Sequence, residues 1–496
     1  MSHPSYPRLA AVAPSPLVRL LADGVGSTFA DSVSAGPVGS AFAGSASTLL
    51  AATVGTLLTS VVFVGSALAA PAGDAAYGSK SYDDYEEPSV CAECHVDIAR
   101  QHEQAMMSQC FVHEWDEIEY FELALPHAEK VEKVAGVKAG CNGCHAPLAF
   151  LAGDIPPSRP EAGTRANEGT TCDLCHSVTG FEGDIPYNFN WISEPGETKQ
   201  GPRPNRVSEY HGIAYNEFLS TAEFCGTCHN EKDPWGLWVK ATHLEWKEGP
   251  YAAAGVTCQK CHMAASEGQS VDGGETLPDV RNHLFNGAHD NGKLIGSVEV
   301  RIHPEERSVR AGKTAKLAAV VLNAKAGHMI PTGSAEERVV WLEVEAKDSA
   351  GKVWHLPVDP KGFEGEEYTI GSDLLAYQDL GDIQGLADFK GVRRDGPVPV
   401  GDRIYRLPYF DPEGRMTIAQ WNTAAFGTDY RLPPLEARTE TFTWELPGDV
   451  ATGPLEVTAK VYYSRLVSSV AQHLGVPEEE YAPVEIAAHE TMLTVM

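Results

Sequence analysis

The chain has 496 residues, enough for more than one domain and for a large core. With 38 basic against 68 acidic residues its formal net charge is −30, which argues against nucleic-acid or anionic-membrane binding and favours basic protein partners. All 11 cysteines lie between Cys91 and Cys261, and an odd number grouped in this way excludes an ordinary disulfide framework.

Residues 1–70 contain Arg8 and Arg19, then a charge-free stretch from Ser32 to Gly73 whose apolar centre runs from Leu49 to Val64. The stretch passes through Ala67-Leu68-Ala69, the small-residue pattern of signal-peptidase cleavage. This segment reads as a signal peptide or a retained N-terminal anchor, which places the rest of the chain outside the cytoplasm. The expected location is periplasmic, extracellular or cell-surface, either free or tethered to the membrane through the N-terminus. Residues 71–89, with Tyr82-Asp83-Asp84-Tyr85-Glu86-Glu87-Pro88, read as a solvated acidic linker.

From 90 to 294 there is little sustained periodicity and much Gly and Pro, so short helices beside the cysteines are the predicted elements. From 295 to 496 the period becomes two. Val340, Leu342, Val344 and Ala346 alternate with Trp341, Glu343 and Glu345; Phe442, Trp444 and Leu446 alternate with Thr443 and Glu445; Leu455, Val457, Ala459, Val461 and Tyr463 repeat the pattern. Half-buried strands separated by Gly, Pro and Asp turns predict an antiparallel β-sandwich, immunoglobulin-like, with a long irregular insertion around Pro360 to Pro434.

The chemistry lies in the middle region. Five times the chain reads Cys-x-x-Cys-His: Cys91, Cys94 and His95; Cys141, Cys144 and His145; Cys172, Cys175 and His176; Cys225, Cys228 and His229; Cys258, Cys261 and His262. Two thiols at this spacing reach the two vinyl groups of one haem as thioethers, and the adjoining imidazole falls under the iron. A zinc ribbon also needs paired thiolates but has no use for the fifth residue; five histidines in five places arise by chance on the order of 10⁻⁷. The cofactor expected is therefore five covalently bound haem c, with the five motif histidines as proximal ligands. About one macrocycle per 35 residues means that the porphyrins supply much of the interior and stand close enough to pass electrons. The fold class that follows is a multidomain α+β chain, a haem-packed domain of short helices and loops followed by the β-sandwich.

At this point the chain resembles a widespread family of exported multihaem cytochromes, related in its motifs to the tetrahaem electron carrier of ammonia oxidisers and to the hydroxylamine oxidoreductase group. The resemblance is carried by Cys91-Ala92-Glu93-Cys94-His95, Cys144-His145-Ala146-Pro147, Gly169-Thr170-Thr171-Cys172-Asp173-Leu174-Cys175-His176-Ser177 and Phe224-Cys225-Gly226-Thr227-Cys228-His229-Asn230. Further on it includes Glu245-Trp246 with Gly249-Pro250-Tyr251, Cys258-Gln259-Lys260-Cys261-His262-Met263, and Ala326-Gly327-His328-Met329-Ile330-Pro331-Thr332-Gly333.

The resemblance implies electron transfer between redox protein partners, basic or membrane-bound, and it names none. It also implies distal iron ligands at His211, His283 and His289, and at His328, where the Gly-His-x-x-Pro-Thr-Gly loop would carry a ligand from the β-domain into the haem domain. The family often has Trp seven and His twelve residues after the first motif's histidine; here those places hold His102 and Met107. Met107 is thus a candidate sulfur ligand that raises the potential of one haem, with Met106, His102 and His113 as alternatives. An open iron, expected at the first haem, would instead act on a small nitrogen or sulfur compound. A third reading is a subunit of a membrane-attached or filamentous redox assembly. No motif replaces its histidine by lysine, the marker of ammonia-forming pentahaem nitrite reductases, so a carrier is favoured over an enzyme. Cys110, outside the motifs, reads as a buried small hydrophobe, and Tyr210, Trp246 and Tyr251 as haem-packing residues.

Overall fold

The computed structural model describes residues 76–496, so the segment 1–70, expected to be a signal peptide or N-terminal anchor, lies outside the described residues. Among the described residues no helix is long and apolar enough to cross a membrane. The architecture is mixed α+β, with short helices and two-stranded hairpins up to Leu294 and larger sheets after it.

Each cysteine motif begins on or runs through a helical turn: Pro88–Ala92, Val137–His145, Cys172–Cys175, Ala222–His229 and Cys258–His262. Residues three apart on such a turn share a face, so both thiols of a motif project to one side. The turn at the third motif is capped by Thr171, whose hydroxyl accepts from Leu174 N at 3.1 Å. The apolar clusters here are small; one gathers Tyr85, Leu148, Phe150, Leu151, Leu174, Val178, Phe189 and Trp191.

The stretch expected to be a solvated linker is packed at its end. Tyr85 is 3% exposed, its hydroxyl lies 2.8 Å from Ser193 Oγ, and Glu86 N donates to Asp173 Oδ2 at 2.8 Å. Arg165 Nη1 donates to Tyr85 O at 3.0 Å. An acidic string packs where a guanidinium takes up its carbonyls and a tyrosine anchors it.

The second half is built on strands β1 (Val298–Pro304), β2 (Thr314–Asn323), β3 (Val339–Asp348), β4 (Val353–His355), β5 (Arg403–Tyr405), β6 (Ala437–Glu445), β7 (Gly453–Ser464) and β8 (Val484–Val495). One sheet has the order β6-β2-β1; the other runs from Ser308–Val309 through β8, β7 and β3 to β4, with β5 also paired to β3. The pairings are antiparallel except at Ser308–Val309, which runs parallel to β8. In register, Leu342 faces Val461, Val344 faces Ala459 and Ala346 faces Val457, while Val300 faces Val321 and Ile302 faces Ala319. These side chains from both sheets join one core. The period-two pattern is obeyed in β1, where Val298, Val300 and Ile302 are buried and Glu299, Arg301 and His303 are exposed.

β3 departs from its predicted alternation. Trp341, expected on the open face, is 3% exposed because residues of the 360–434 insertion and of the helix Ser468–Leu474 cover that face, forming a second core with Val339, Ile404, Leu466 and Val470. The insertion also buries charge. Arg403 Nε donates to Glu440 Oε2 at 3.0 Å and its Nη2 to Glu366 Oε1 at 2.9 Å, with both Arg403 and Glu440 fully out of solvent. Without Arg403, Glu440 keeps Lys361 Nζ at 3.1 Å and Tyr430 Oη at 3.0 Å, so the buried carboxylate is weakened and not stranded. Arg403→Met should lower unfolding free energy by about 2–3 kcal/mol, read as a shift of the denaturation midpoint; a loss under about 1 kcal/mol would mean that the network contributes nothing beyond packing.

Candidate functional site

A carbonyl oxygen only accepts hydrogen bonds, so an imidazole nitrogen against one must carry the proton, and the other nitrogen keeps a free lone pair. Four of the five motif histidines are fixed in this way through Nδ1. His95 donates to Ser270 O at 2.6 Å, His145 to Cys110 O at 2.7 Å, His176 to Gln200 O at 2.7 Å and His262 to Asn286 O at 2.7 Å. Each therefore presents Nε2 as a ligand, the arrangement typical of metal-bound histidine.

The same signature marks three histidines outside the motifs. His211 Nδ1 donates to Gly212 O at 2.9 Å, His283 Nδ1 to Arg281 O at 3.1 Å and His328 Nδ1 to Met329 O at 2.9 Å. Two of them stand opposite motif histidines. The ring centres of His95 and His211 are 6.4 Å apart at 35°, and those of His262 and His328 are 6.4 Å apart at 20°. A metal–imidazole bond of about 2 Å, with the ring centre ~1.2 Å behind its nitrogen, puts two imidazoles on one metal about 6.3 Å apart. The gap is that of a shared iron. His303 and His489, on adjoining strands, are also 6.5 Å apart, but His489 Nδ1 accepts from Ile302 N and no thiols flank the pair. Separation alone is not diagnostic; separation with the locked proton is.

His283 lies closest in charge to His176, which depresses its pKa after burial does, to about 4. His289 differs: its Nε2 approaches Glu480 Oε2 at 3.4 Å and its ring meets His113 edge-on at 5.1 Å. His102 spends Nε2 on Thr170 O at 2.9 Å, and His113 has both nitrogens on carboxylates, Asp116 and Glu480, each at 2.9 Å. Met107 lies in the short helix Met106–Gln109, and its carbonyl accepts from Thr170 N at 2.9 Å, next to the third motif. Cys110 is half-buried, its Sγ 3.3 Å from His145 O, and desolvation pushes its thiol up to about 12, the state of an inert packing residue. Trp246 donates to Val256 O at 2.8 Å, while Tyr210 is 86% exposed rather than packed.

The motifs meet through their thiols. Cys91 and Cys172, Cys144 and Cys228, and Cys225 and Cys258 lie near enough to perturb each other's ionisation. Cys175 lies within electrostatic reach of both Cys225 and Cys228. The first motif thus lies near the third, the third near the fourth, and the second and fifth each near the fourth. Paired thiols on single helical turns, carbonyl-locked imidazoles and ring-width gaps all fit covalently bound haem.

A charged pocket adjoins the second motif. Glu336 and Glu337 are buried and Glu119 half-buried, each with a carboxylate oxygen that lacks a hydrogen-bond partner, and desolvation raises the pKa of all three. Lys240 stays protonated against burial because Glu231, at 2.7 Å, and then Glu119 and Glu336 face it. Glu119 opens the π-helical stretch Glu119–Ala124, and the three glutamates give no periodic signal in the sequence. His145 itself is braced by Asp116, at 3.2 Å; burial raises that carboxyl, but hydrogen bonds from His113 and His145 outweigh it and hold the pKa far below the carboxylate range.

The loop carrying His328 is fastened to the motif half by one carboxylate. Glu245 Oε2 accepts from Thr332 Oγ1 at 2.6 Å and Met329 N at 3.2 Å, and Glu245 Oε1 accepts from Arg431 Nη1 at 2.6 Å. A Cβ on Gly327 would press to within 3.3 Å of Tyr251 and 3.5 Å of Trp246. Two of the stretches that carried the resemblance, Glu245-Trp246 with Tyr251 and Gly327-His328, thus meet in space.

No family model matches the chain, and no curated protein matches it. Among solved structures it is similar to a penta-heme cytochrome c552 from Thermochromatium tepidum, at 21% identity and a TM-score of 0.58, over 83% of this chain and 99% of that one. The likeness is one of fold. A sporulation control protein from Bacillus subtilis (11% identity, TM-score 0.15, 40% of this chain and 50% of that one) and a cohesin from Pseudobacteroides cellulosolvens (14%, 0.16, 40% and 92%) are too distant in shape to bear on the argument.

Glu245→Ala should release the His328 loop. Because Arg431 keeps Asp429 at 2.7 Å as a second partner, the cost should be about 2–3 kcal/mol, below that of a fully stranded buried charge. A denaturation midpoint unmoved from that of the wild type would contradict the fastening role.

Proposed function

We propose that the chain is an exported pentahaem c-type cytochrome that passes electrons between redox proteins. The observation that carries the proposal is the set of imidazoles whose Nδ1 is locked on a carbonyl, two pairs of which stand a shared-iron distance apart. Haem c supplies a one-electron iron centre whose ligands set its potential. The chain's own residues do the rest. Ten motif cysteines hold the rings, and the contacts among Cys91, Cys172, Cys144, Cys228, Cys225 and Cys258 keep them adjacent, so that transfer needs no rearrangement of the protein.

In this reading His211 completes the first site with His95, His328 the fifth with His262, and His283 the third with His176. Met107 is the candidate sixth ligand where no imidazole stands opposite. The two facing sheets form an immunoglobulin-like sandwich over 295–496, which delivers His328 and offers a docking module. The acidic surface suits basic or positively faced partners, in the periplasm or at the cell surface, and the segment 1–70 is the export signal or tether.

A second reading has its own observation. Glu119, Glu336, Glu337 and Lys240 beside the second motif suit an oxidoreductase acting on a small nitrogen or sulfur compound there, rather than at the first site, where His211 faces His95.

His211→Ala and His328→Ala should each convert one low-spin haem to high-spin, read by electron paramagnetic resonance on the five-haem protein. Unchanged spectra in both variants would reject these ligands. A high-spin signal already present in the wild type and altered by Glu336→Gln would favour the oxidoreductase.

A further inference from the structure

We propose that His113, His289 and Glu480 form a binding site for one divalent transition-metal ion, additional to the five motif sites. The three residues come from separate parts of the chain, yet their ligand atoms converge within 4.8 Å of one another. His113 Nε2 lies 2.9 Å and His289 Nε2 3.4 Å from Glu480 Oε2. Ligand atoms about 2 Å from a tetrahedral ion stand about 3.3 Å apart, and both imidazole–carboxylate separations are within a few tenths of an ångström of that value. Two imidazoles and one carboxylate suit zinc or ferrous iron and disfavour magnesium and calcium, which take oxygen ligands.

The site is built rather than accidental. His113 is oriented by Asp116, which accepts from Nδ1 at 2.9 Å and leaves Nε2 for the ion, the carboxylate–histidine–metal relay. Arg465 places the other two ligands. Its guanidinium donates to Ala288 O at 3.3 Å, beside His289, and to Glu479 O at 2.5 Å and Glu480 O at 3.3 Å. Arg338 and Arg465 face His289 and oppose a cation, and the carboxylates of Glu480 and Asp116 offset them. His289 keeps 31% of its side chain exposed, which leaves a route from solvent.

Asp116 also braces His145 at 3.2 Å. One buried carboxylate therefore stands behind two metal-binding imidazoles, and an ion at the outer site would alter the environment of the second motif's iron. It would also staple the segment before β8 to the motif half. His289 is then a ligand of this ion and not of a haem.

The test is zinc titration calorimetry on chelator-treated, fully haem-loaded protein, with metal analysis against the haem count. Wild type should take up one saturable zinc per chain. Glu480→Gln and His289→Ala should each weaken binding by at least about 100-fold, the upper end of what a supporting residue alone contributes, and both should keep the wild-type haem spin states. Absence of a saturable site, equal affinity in both variants, or a new high-spin haem in His289→Ala would overturn the proposal; because the haem count is read separately, failure here leaves the cytochrome reading standing.

Discussion

The fold depends on where each imidazole puts its proton. A neutral histidine has one donor and one acceptor nitrogen, and a main-chain carbonyl against Nδ1 decides which is which. Six histidines of the motif region and His328 of the β-rich half are set by such a bond, and none of those carbonyls lies within the cysteine motifs themselves. The loops that supply them, including Ser270, Gln200 and Asn286, have few apolar side chains to pack. Their irregular paths suit that placement, because a loop whose task is to aim a carbonyl at an imidazole has no need of periodic structure.

The β-rich half extends the same logic. Its strands bury a conventional two-sheet core, but the loop between β2 and β3 leaves that core to place His328 against His262. Glu245 holds the loop by two hydrogen bonds and accepts a third from the buried Arg431, so the position of His328 is tied to the packing of both halves. Glu336 and Glu337 follow on the same loop, and their unpartnered oxygens bring the charge pattern of the second half to the second motif.

Much of this was legible in the residue order, for identifiable reasons. Cys-x-x-Cys-His is a local geometric requirement, so five motifs can be read without a fold, and period two in β1 and β7 reflects a half-buried sheet. His328 stood out because its neighbours form a recognisable stretch, and His211, His283 and His289 because of their places near the fourth and fifth motifs. What was hidden depends on burial from afar. Trp341 looks like an outward residue until the insertion covers it, and the acidic string around Tyr85 looks solvated until Arg165 arrives from 80 residues away. His113 and Glu480 sit in sequence surroundings that say nothing of each other. His102 and Met107 follow the first motif along the chain, whereas the imidazole that stands opposite His95 comes from His211, more than a hundred residues on.

The claim that all five motifs carry a covalent macrocycle is tested most directly by the intact mass of the mature chain under denaturing conditions, after expression in a host that matures c-type cytochromes. The account predicts five tetrapyrrole additions that survive unfolding and a coloured polypeptide. A colourless chain, or one carrying fewer than five additions, would contradict it.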